Sequence, residues 1–258
     1  MIEPSQYVRK LEGKSNAHLI TFNDGKDYVV KFLLPGFEKT LPNEWVAYCL
    51  ARFLGLPVPF AQIVEIPLNF SSLIPELGQK SSSQFQFASR YVPACIDGHQ
   101  LSSAHSMTNH HTLAGTILFD YWLCNQDRTR KNILLSNDSD DGYKMWIIDH
   151  AEIFGSYNWN LKDLEQLPSK PELMKSTAHQ LMAYFIDNEK DFYEQLELIE
   201  TIPILLIEEI VSLIPDDWTV SADERKAITA TLLYRRKKVL PKLMERFIKR
   251  VYRPLKNG

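Results

Sequence analysis

Glycine is scarce in this chain, at 10 of 258 residues, and cysteine scarcer still, at three. The few glycines make no Walker pattern, and no G-x-S-x-G nucleophile elbow occurs to support a hydrolase. Cys49, Cys95 and Cys124 are odd in number, widely spaced and without a CxxC pair, so they read as reduced, mostly buried thiols of a cytoplasmic protein and argue against zinc. The amino-terminal MIEPSQYVRKLEGK has no apolar signal core, which disfavours secretion. The most apolar run, IPILLIEEIVSLIP, is interrupted by Glu208 and Glu209, so no span of a membrane is expected. A net charge of −3 is too small to argue for a polyanionic partner.

What is present is an ordinary globular composition, 45% hydrophobic and 24% charged, in a chain long enough for one domain or for two lobes sharing a cleft. Charge is uneven. Residues 235–256 hold ten Lys or Arg against Glu245 alone, a net +9 that leaves −12 on the rest. Leu240, Leu243, Phe247 and Val251 recur there at helical spacing, so the tail reads first as the solvated face of an amphipathic helix. Contact with RNA or an acidic protein is the alternative.

The first third alternates and turns. AHLITF and DYVVKFLL flank Asn23, Asp24, Gly25 and Lys26, a hairpin signal. NEWVAYCLARFLG follows as a helix, with Asn43 as its cap, Gly55 at its end, and Val46, Cys49, Leu50, Phe53 and Leu54 on one face. FAQIVEIP and QFQFASRYV read as strands around a polar loop from Asn69 to Ser83. From about residue 106 long helical patterns take over, broken by a second hairpin in which NILLS and KMWIID are joined by NDSDDG. The plan is α+β and bilobal: a small β-rich lobe over 1–105 and a larger helical lobe over 106–258 that carries the catalytic hairpin. A site would lie between them.

Phosphoryl transfer asks for a carboxylate to orient the acceptor hydroxyl, oxygen ligands for magnesium, a cation on the nucleotide phosphates and a backbone cover over them. CNQDRTRKNILL supplies Asp127 and Asn132 at the D-x-x-x-x-N spacing of a kinase catalytic loop, the Asp facing the acceptor and the Asn offering an oxygen to metal. Asp149 ends the strand MWII as the expected main magnesium ligand. Lys31 in YVVKF is the candidate phosphate cation, with Glu44, in the first turn of the next helix, to hold it. Gly13, Ser15 and Asn16 belong to a small polar run at the first β-turn, where backbone N–H groups could cover phosphates. Arg128, Arg130 and Lys131 either neutralise transferred charge or pin the loop, and Arg128 reads as structural. His110 and His111 have no partner carboxylate or ligand spacing and read as plain helix residues.

LPNEWVAYCLARFLGLPVP, FDYWLCNQDRTRKNILL and IIDHAEIFG together resemble the HipA-like kinases, in their compact branch, from about Leu11 to Phe154. The resemblance implies a protein-kinase-like fold, ATP with magnesium, and phosphorylation of serine or threonine. It implies that Asp127 is the base, Asn132 and Asp149 the metal ligands, and Lys31 with Glu44 the phosphate pair. Phe87 to Val92, including Arg90 and Tyr91, would be the hinge that meets adenine. It further implies a protein acceptor, commonly a translation component, control by a DNA-binding antitoxin, and autophosphorylation at Ser15. Asn125 stands where many kinases have His, and Thr129 where protein kinases have Lys. The competing readings are a lipid kinase resembling the type II phosphatidylinositol 4-kinases and a pseudokinase-like binding module.

Overall fold

The computed structural model describes residues 2–13, 16–75, 77, 83–101, 106–139, 142–167 and 176–257. Five strands, β1 (Pro4–Lys10), β2 (His18–Phe22), β3 (Asp27–Lys31), β4 (Ala61–Glu65) and β5 (Phe85–Arg90), form an antiparallel sheet in the order β1-β2-β3-β5-β4. The turn between β2 and β3 is the one anticipated. Gly25 takes the positive φ of +73° that it requires, and the Asp24 carboxylate accepts from the Lys26 N–H and the Tyr28 hydroxyl. β3 lies at the centre of the sheet, so Lys31 is not an edge residue.

Helix α1 (Thr40–Phe53) crosses from this sheet toward the rest of the molecule. It starts three residues before the expected cap. Lys39 holds the N-cap position without a side-chain bond, Pro42 is tolerated within the first turn where the N–H has no helical partner, and Asn43 and Glu44 lie inside the helix. Its buried face runs through Leu41, Val46, Ala47, Leu50 and Ala51, while Phe53, expected on that face, is 53% exposed. Gly55 ends it as anticipated, with a φ of +68°. The polar segment after β4 is more than a loop: a single turn α2 (Leu68–Ser71) and buried Ile74 and Leu77 cover the outer face of the sheet, packing on Ile20, Phe22 and Val30.

The second sheet is built around the hairpin that follows Asn132, with β6 (Cys95–Asp97), β7 (Ser106–Met107), β8 (Ile133–Ser139) and β9 (Gly142–Ile147) in the order β6-β8-β9-β7. Strands from both sides of residue 105 therefore share one sheet. Between β7 and β8 runs α3 (Leu113–Leu123), all eleven residues of it buried, as a helix apolar all round must be. Among the described residues six helices follow: α4 (Leu161–Gln166), α5 (Thr177–Tyr184), α6 (Lys190–Thr201), α7 (Ile204–Ser212), α8 (Ala222–Lys238) and α9 (Leu240–Phe247), with the short α10 (Arg253–Asn257) after them. One apolar core joins α1, α3 and these helices. Among the described residues no helix is long and apolar enough to cross a membrane. The three cysteines are free but half-buried rather than buried.

Candidate active site

α3 stops at Cys124, whose left-handed backbone (φ 55°, ψ 47°) turns the chain out of the core and into the loop that carries Asp127. The loop is fastened from below. Asp120, in the last turn of α3 and fully buried, accepts from Arg128 Nε at 2.8 Å and Nη2 at 3.1 Å, from the Asn125 side-chain amide at 2.9 Å, and pairs with His179 Nε2 of α5 at 2.9 Å. Burial would raise its carboxyl, but the Arg128 guanidinium and His179 outweigh burial and hold it far below the ordinary carboxylate range. Arg128 Nη1 reaches the carbonyls of Asn132 at 3.0 Å and Ile148 at 2.9 Å, so one guanidinium sets both the loop that carries Asp127 and the end of β9. Arg128 is structural, as its position beside Asp127 suggested.

On this base Asn132 bends back toward Asp127. Its side-chain amide donates to the Asp127 carbonyl at 2.6 Å and to Asp127 Oδ2 at 3.2 Å. Both amide hydrogens are thereby engaged and Asn132 Oδ1 is left as an acceptor, the part a cation would take. Asp149 follows β9 in a left-handed conformation, φ 59°, that aims its carboxylate at Lys31, with 2.7 Å from Nζ to Oδ1. Lys31 also bonds the Glu44 carboxylate, which reaches it from the fifth residue of α1 rather than from the first turn. Burial disfavours the Lys31 ammonium, yet Asp149 and Glu44 together raise it above its ordinary value. The two carboxylates are pushed apart. Burial lifts Glu44 above the usual range, whereas at Asp149 the Lys31 charge overcomes burial and lowers it.

Two cavities meet at Asp149. One, of about 240 Å³, lies between the sheets and is walled by apolar Ala17, Val29, Val58, Leu134 and Ile147, with the buried Lys31 and Glu44 also in its lining. The other, of about 640 Å³, holds Asp127, Asn132, Arg130 and Lys131 and extends to Gly13. Arg90 and Tyr91 line the first cavity, but their backbone N–H groups donate to the Phe60 carbonyl at 2.7 Å and the Asp27 carbonyl at 2.9 Å. Asn16 adopts a φ of 44° in the turn between β1 and β2, and Gly13 a φ of 134°. Ser15 lies outside the described residues.

Three buried polar side chains that fasten the site escaped the sequence reading. Asn43 is not a cap: it is fully buried, donates to the carbonyls of Ala151, Ile153 and Ser156 at 2.6, 3.2 and 3.0 Å, and accepts from Trp159 Nε1 at 2.8 Å. Asp120 and His150 are not singled out by any motif of the sequence. For Asp120 and His150 the available signal was a charged or titratable residue in an otherwise apolar run, which demands a partner.

The sequence profile of the HipA-like kinases matches residues 7–250. The chain belongs to the HipA-like kinase family. Among solved structures this HipA-like kinase is similar to the proinflammatory kinase CtkA of Helicobacter pylori, at 14% identity and a TM-score of 0.64, with 96% of each chain covered. It is similar to hydra Fam20 at 12% identity and a TM-score of 0.57, over 98% of this chain and 88% of the other. With a Golgi casein kinase it shares 13% identity and a TM-score of 0.51, over 97% and 74%. At such identities the likeness is one of fold, and the fold is protein-kinase-like. Comparison with curated proteins gives no match.

Proposed function

We propose that this HipA-like kinase transfers the terminal phosphoryl group of ATP, with magnesium, to a serine or threonine hydroxyl of a protein. The observation that carries the reading is the position of Asp149, whose carboxylate is bonded to Lys31 and borders both the apolar cavity and the one that holds Asp127. A nucleotide bound in the first cavity would direct its phosphates toward the second.

The residues suit such a ligand. The apolar walls match a base, Lys31 offers a buried cation to phosphate oxygens, and Asn132 Oδ1 with the Asp149 carboxylate gives hard oxygen donors of the kind magnesium takes. The Golgi casein kinase, in the same fold, was captured with Mn and ADP bound, which supports a nucleotide with a divalent ion here. The metal, when bound, neutralises charge on the phosphates. Everything else falls to the chain. Glu44 keeps Lys31 extended, Gly13 offers backbone at the second cavity, and the hinge at Arg90 and Tyr91 borders the base. Asp127, steered by the Asn132 amide, accepts the proton of the acceptor hydroxyl as its oxygen bonds to phosphorus and the bond to ADP breaks.

The test is transfer of labelled γ-phosphate by the wild type and Asp127→Asn, with a cell extract and with phosphatidylinositol vesicles as separate acceptors. Phosphoserine or phosphothreonine made by the wild type, and reduced on the order of 10³-fold or more in the variant, is the expected result. Label in lipid alone would replace the protein acceptor by a lipid. Nucleotide binding indifferent to magnesium, with no transfer to either acceptor, would leave a binding module.

A further inference from the structure

His150 is a buried imidazole for which phosphoryl transfer has no stated use, and its contacts run in two directions. On one side Arg128 Nη2 lies 3.0 Å from its Nε2. A guanidinium nitrogen only donates, so Nε2 is the acceptor and the ring proton sits on Nδ1. On the other side Nδ1 faces Glu44 Oε2 at 3.8 Å, and the His150 backbone N–H donates to Glu44 Oε1 at 3.0 Å. The ring meets Phe119 edge-on, with centroids 6.0 Å apart, which fixes its tilt against α3.

Followed outward, these contacts make one buried chain. It begins at Asp120 in the core helix, passes through Arg128 beside Asp127, crosses His150 to Glu44 in α1, and ends through Lys31 on Asp149. Lys31 and Glu44 come from the first sheet and its helix, and Arg128 from the catalytic loop. His150 joins the two groups, its ring against Arg128 and within 3.8 Å of Glu44 and its backbone N–H bonded to the Glu44 carboxylate.

We propose that His150 is a positioning residue that couples the catalytic loop to the Glu44–Lys31 pair, so that Asp127, Asp149 and Lys31 are set as one unit. The inference rests on the phosphotransferase reading above. His150 itself touches no reacting atom, so its loss acts on the turnover step more than on nucleotide affinity. Partners of this kind, which orient the groups that do touch the ligand, are worth about 10- to 100-fold in activity.

The experiment compares wild type, His150→Phe, His150→Gln, Glu44→Gln and the His150→Phe/Glu44→Gln double variant, reading kcat and KM for ATP, the Kd of magnesium ADP by calorimetry, and Tm. Phenylalanine keeps an aromatic ring and the backbone bond to Glu44 but loses the polar contacts of the imidazole, and should lower kcat about 10- to 100-fold while ADP affinity stays within about threefold. Glutamine, which can accept from Arg128 and donate to Glu44, should restore most of kcat. The double variant should lose little more than the worse single one, because both break the same coupling. Wild-type turnover in His150→Phe, full additivity, or a glutamine variant no better than phenylalanine would each overturn the proposal. If His150→Phe does not fold, His150→Asn decides: its amide is too short to bridge both partners, so turnover should fall there too, and wild-type turnover would overturn the coupling. A wild type that transfers no phosphate to any acceptor takes down the functional reading and this inference with it, whereas an active wild type with indifferent variants removes the inference alone.

Discussion

At the scale of single residues, stability and chemistry draw on the same buried charges. Asp120 accepts four bonds and faces Arg128 with no access to water, so Asp120→Asn leaves a buried guanidinium without its counter-charge. Breaking a buried pair in this way costs about 3 to 5 kcal/mol, to be read by urea unfolding at neutral pH. The difference between wild type and variant should depend on acid in a defined direction. The folded carboxyl lies below its unfolded value of about 3.9, so its contribution is complete above that pH and is lost as pH falls through the lower folded value. Parallel melts from pH 7 to pH 3 should therefore show the two proteins converging only below about pH 4; convergence near pH 6 would mean that some other group carries the effect. The legible part of this site was its spacing. Asp127, Asn132 and Asp149 stand at the two ends of one hairpin, a placement that local spacing conveys. Asp120, Asn43 and His150 take their meaning from partners 5 to 116 residues away, and a single sequence holds no record of such contacts.

At the scale of elements, the strands and helices were legible wherever periodicity met a turn residue, as at Gly25 and Gly55, and illegible where tertiary contact decided the ends. α1 begins at Thr40 because the chain ahead of it is already tied down, Lys39 N–H donating to the Tyr157 carbonyl at 3.0 Å. The basic tail was only half legible. Arg235 and Arg236 read as surface charge, but both are buried at the carboxyl end of α8. Arg235 donates to the carbonyls of Trp122, Tyr121 and Leu167, and Arg236 to that of Ile202. Helix-end carbonyls deprived of their donors are expensive to leave buried, so Arg235→Ala should lose about 3 kcal/mol or more by thermal or urea unfolding, while exposed Lys242→Ala stays within about 0.5 kcal/mol. The catalytic loop has a comparable packing limit at Gly98. Its N–H donates to the Arg130 and Ile133 carbonyls, and a Cβ there would sit 2.8 Å from the Arg130 carbonyl oxygen, a backbone atom that cannot swing aside. Gly98→Ala should therefore shift the loop, at a cost of about 1 to 3 kcal/mol in stability. Turnover should fall by up to about 10²-fold, since small misplacements of reacting groups are amplified in rate. A variant with unchanged kcat would show that the loop adjusts without moving Asp127.

At the scale of the whole molecule, the question is what keeps α1, and with it Glu44, at a fixed distance from the catalytic hairpin. Asn43 is the central tie: one side-chain amide gathers the carbonyls of Ala151, Ile153 and Ser156, and its oxygen takes the Trp159 indole N–H. Lys39, over the face of that same indole at 4.6 Å, pairs with Glu224 of α8 at 3.0 Å, so the start of α1 is joined to the segment after Asp149 and to the helical region at once. The bilobal plan was foreseeable from the change of pattern along the chain, but nothing in the pattern announced that one asparagine would fasten the two parts. Asn43→Ala removes the donor from two buried carbonyls and one partly buried one, and the acceptor from an indole, and should cost about 2 to 4 kcal/mol. Asn43→Asp is the sharper variant. It keeps the shape and the oxygen facing Trp159, but turns the donor end into a second oxygen that confronts three carbonyls, so at neutral pH it should destabilise at least as much as alanine and should lower turnover through Glu44. Urea melts of the two variants side by side, with kcat measured on the folded fraction, decide the point: an aspartate variant as stable as wild type would mean that the amide faces the other way and that α1 is held by something else.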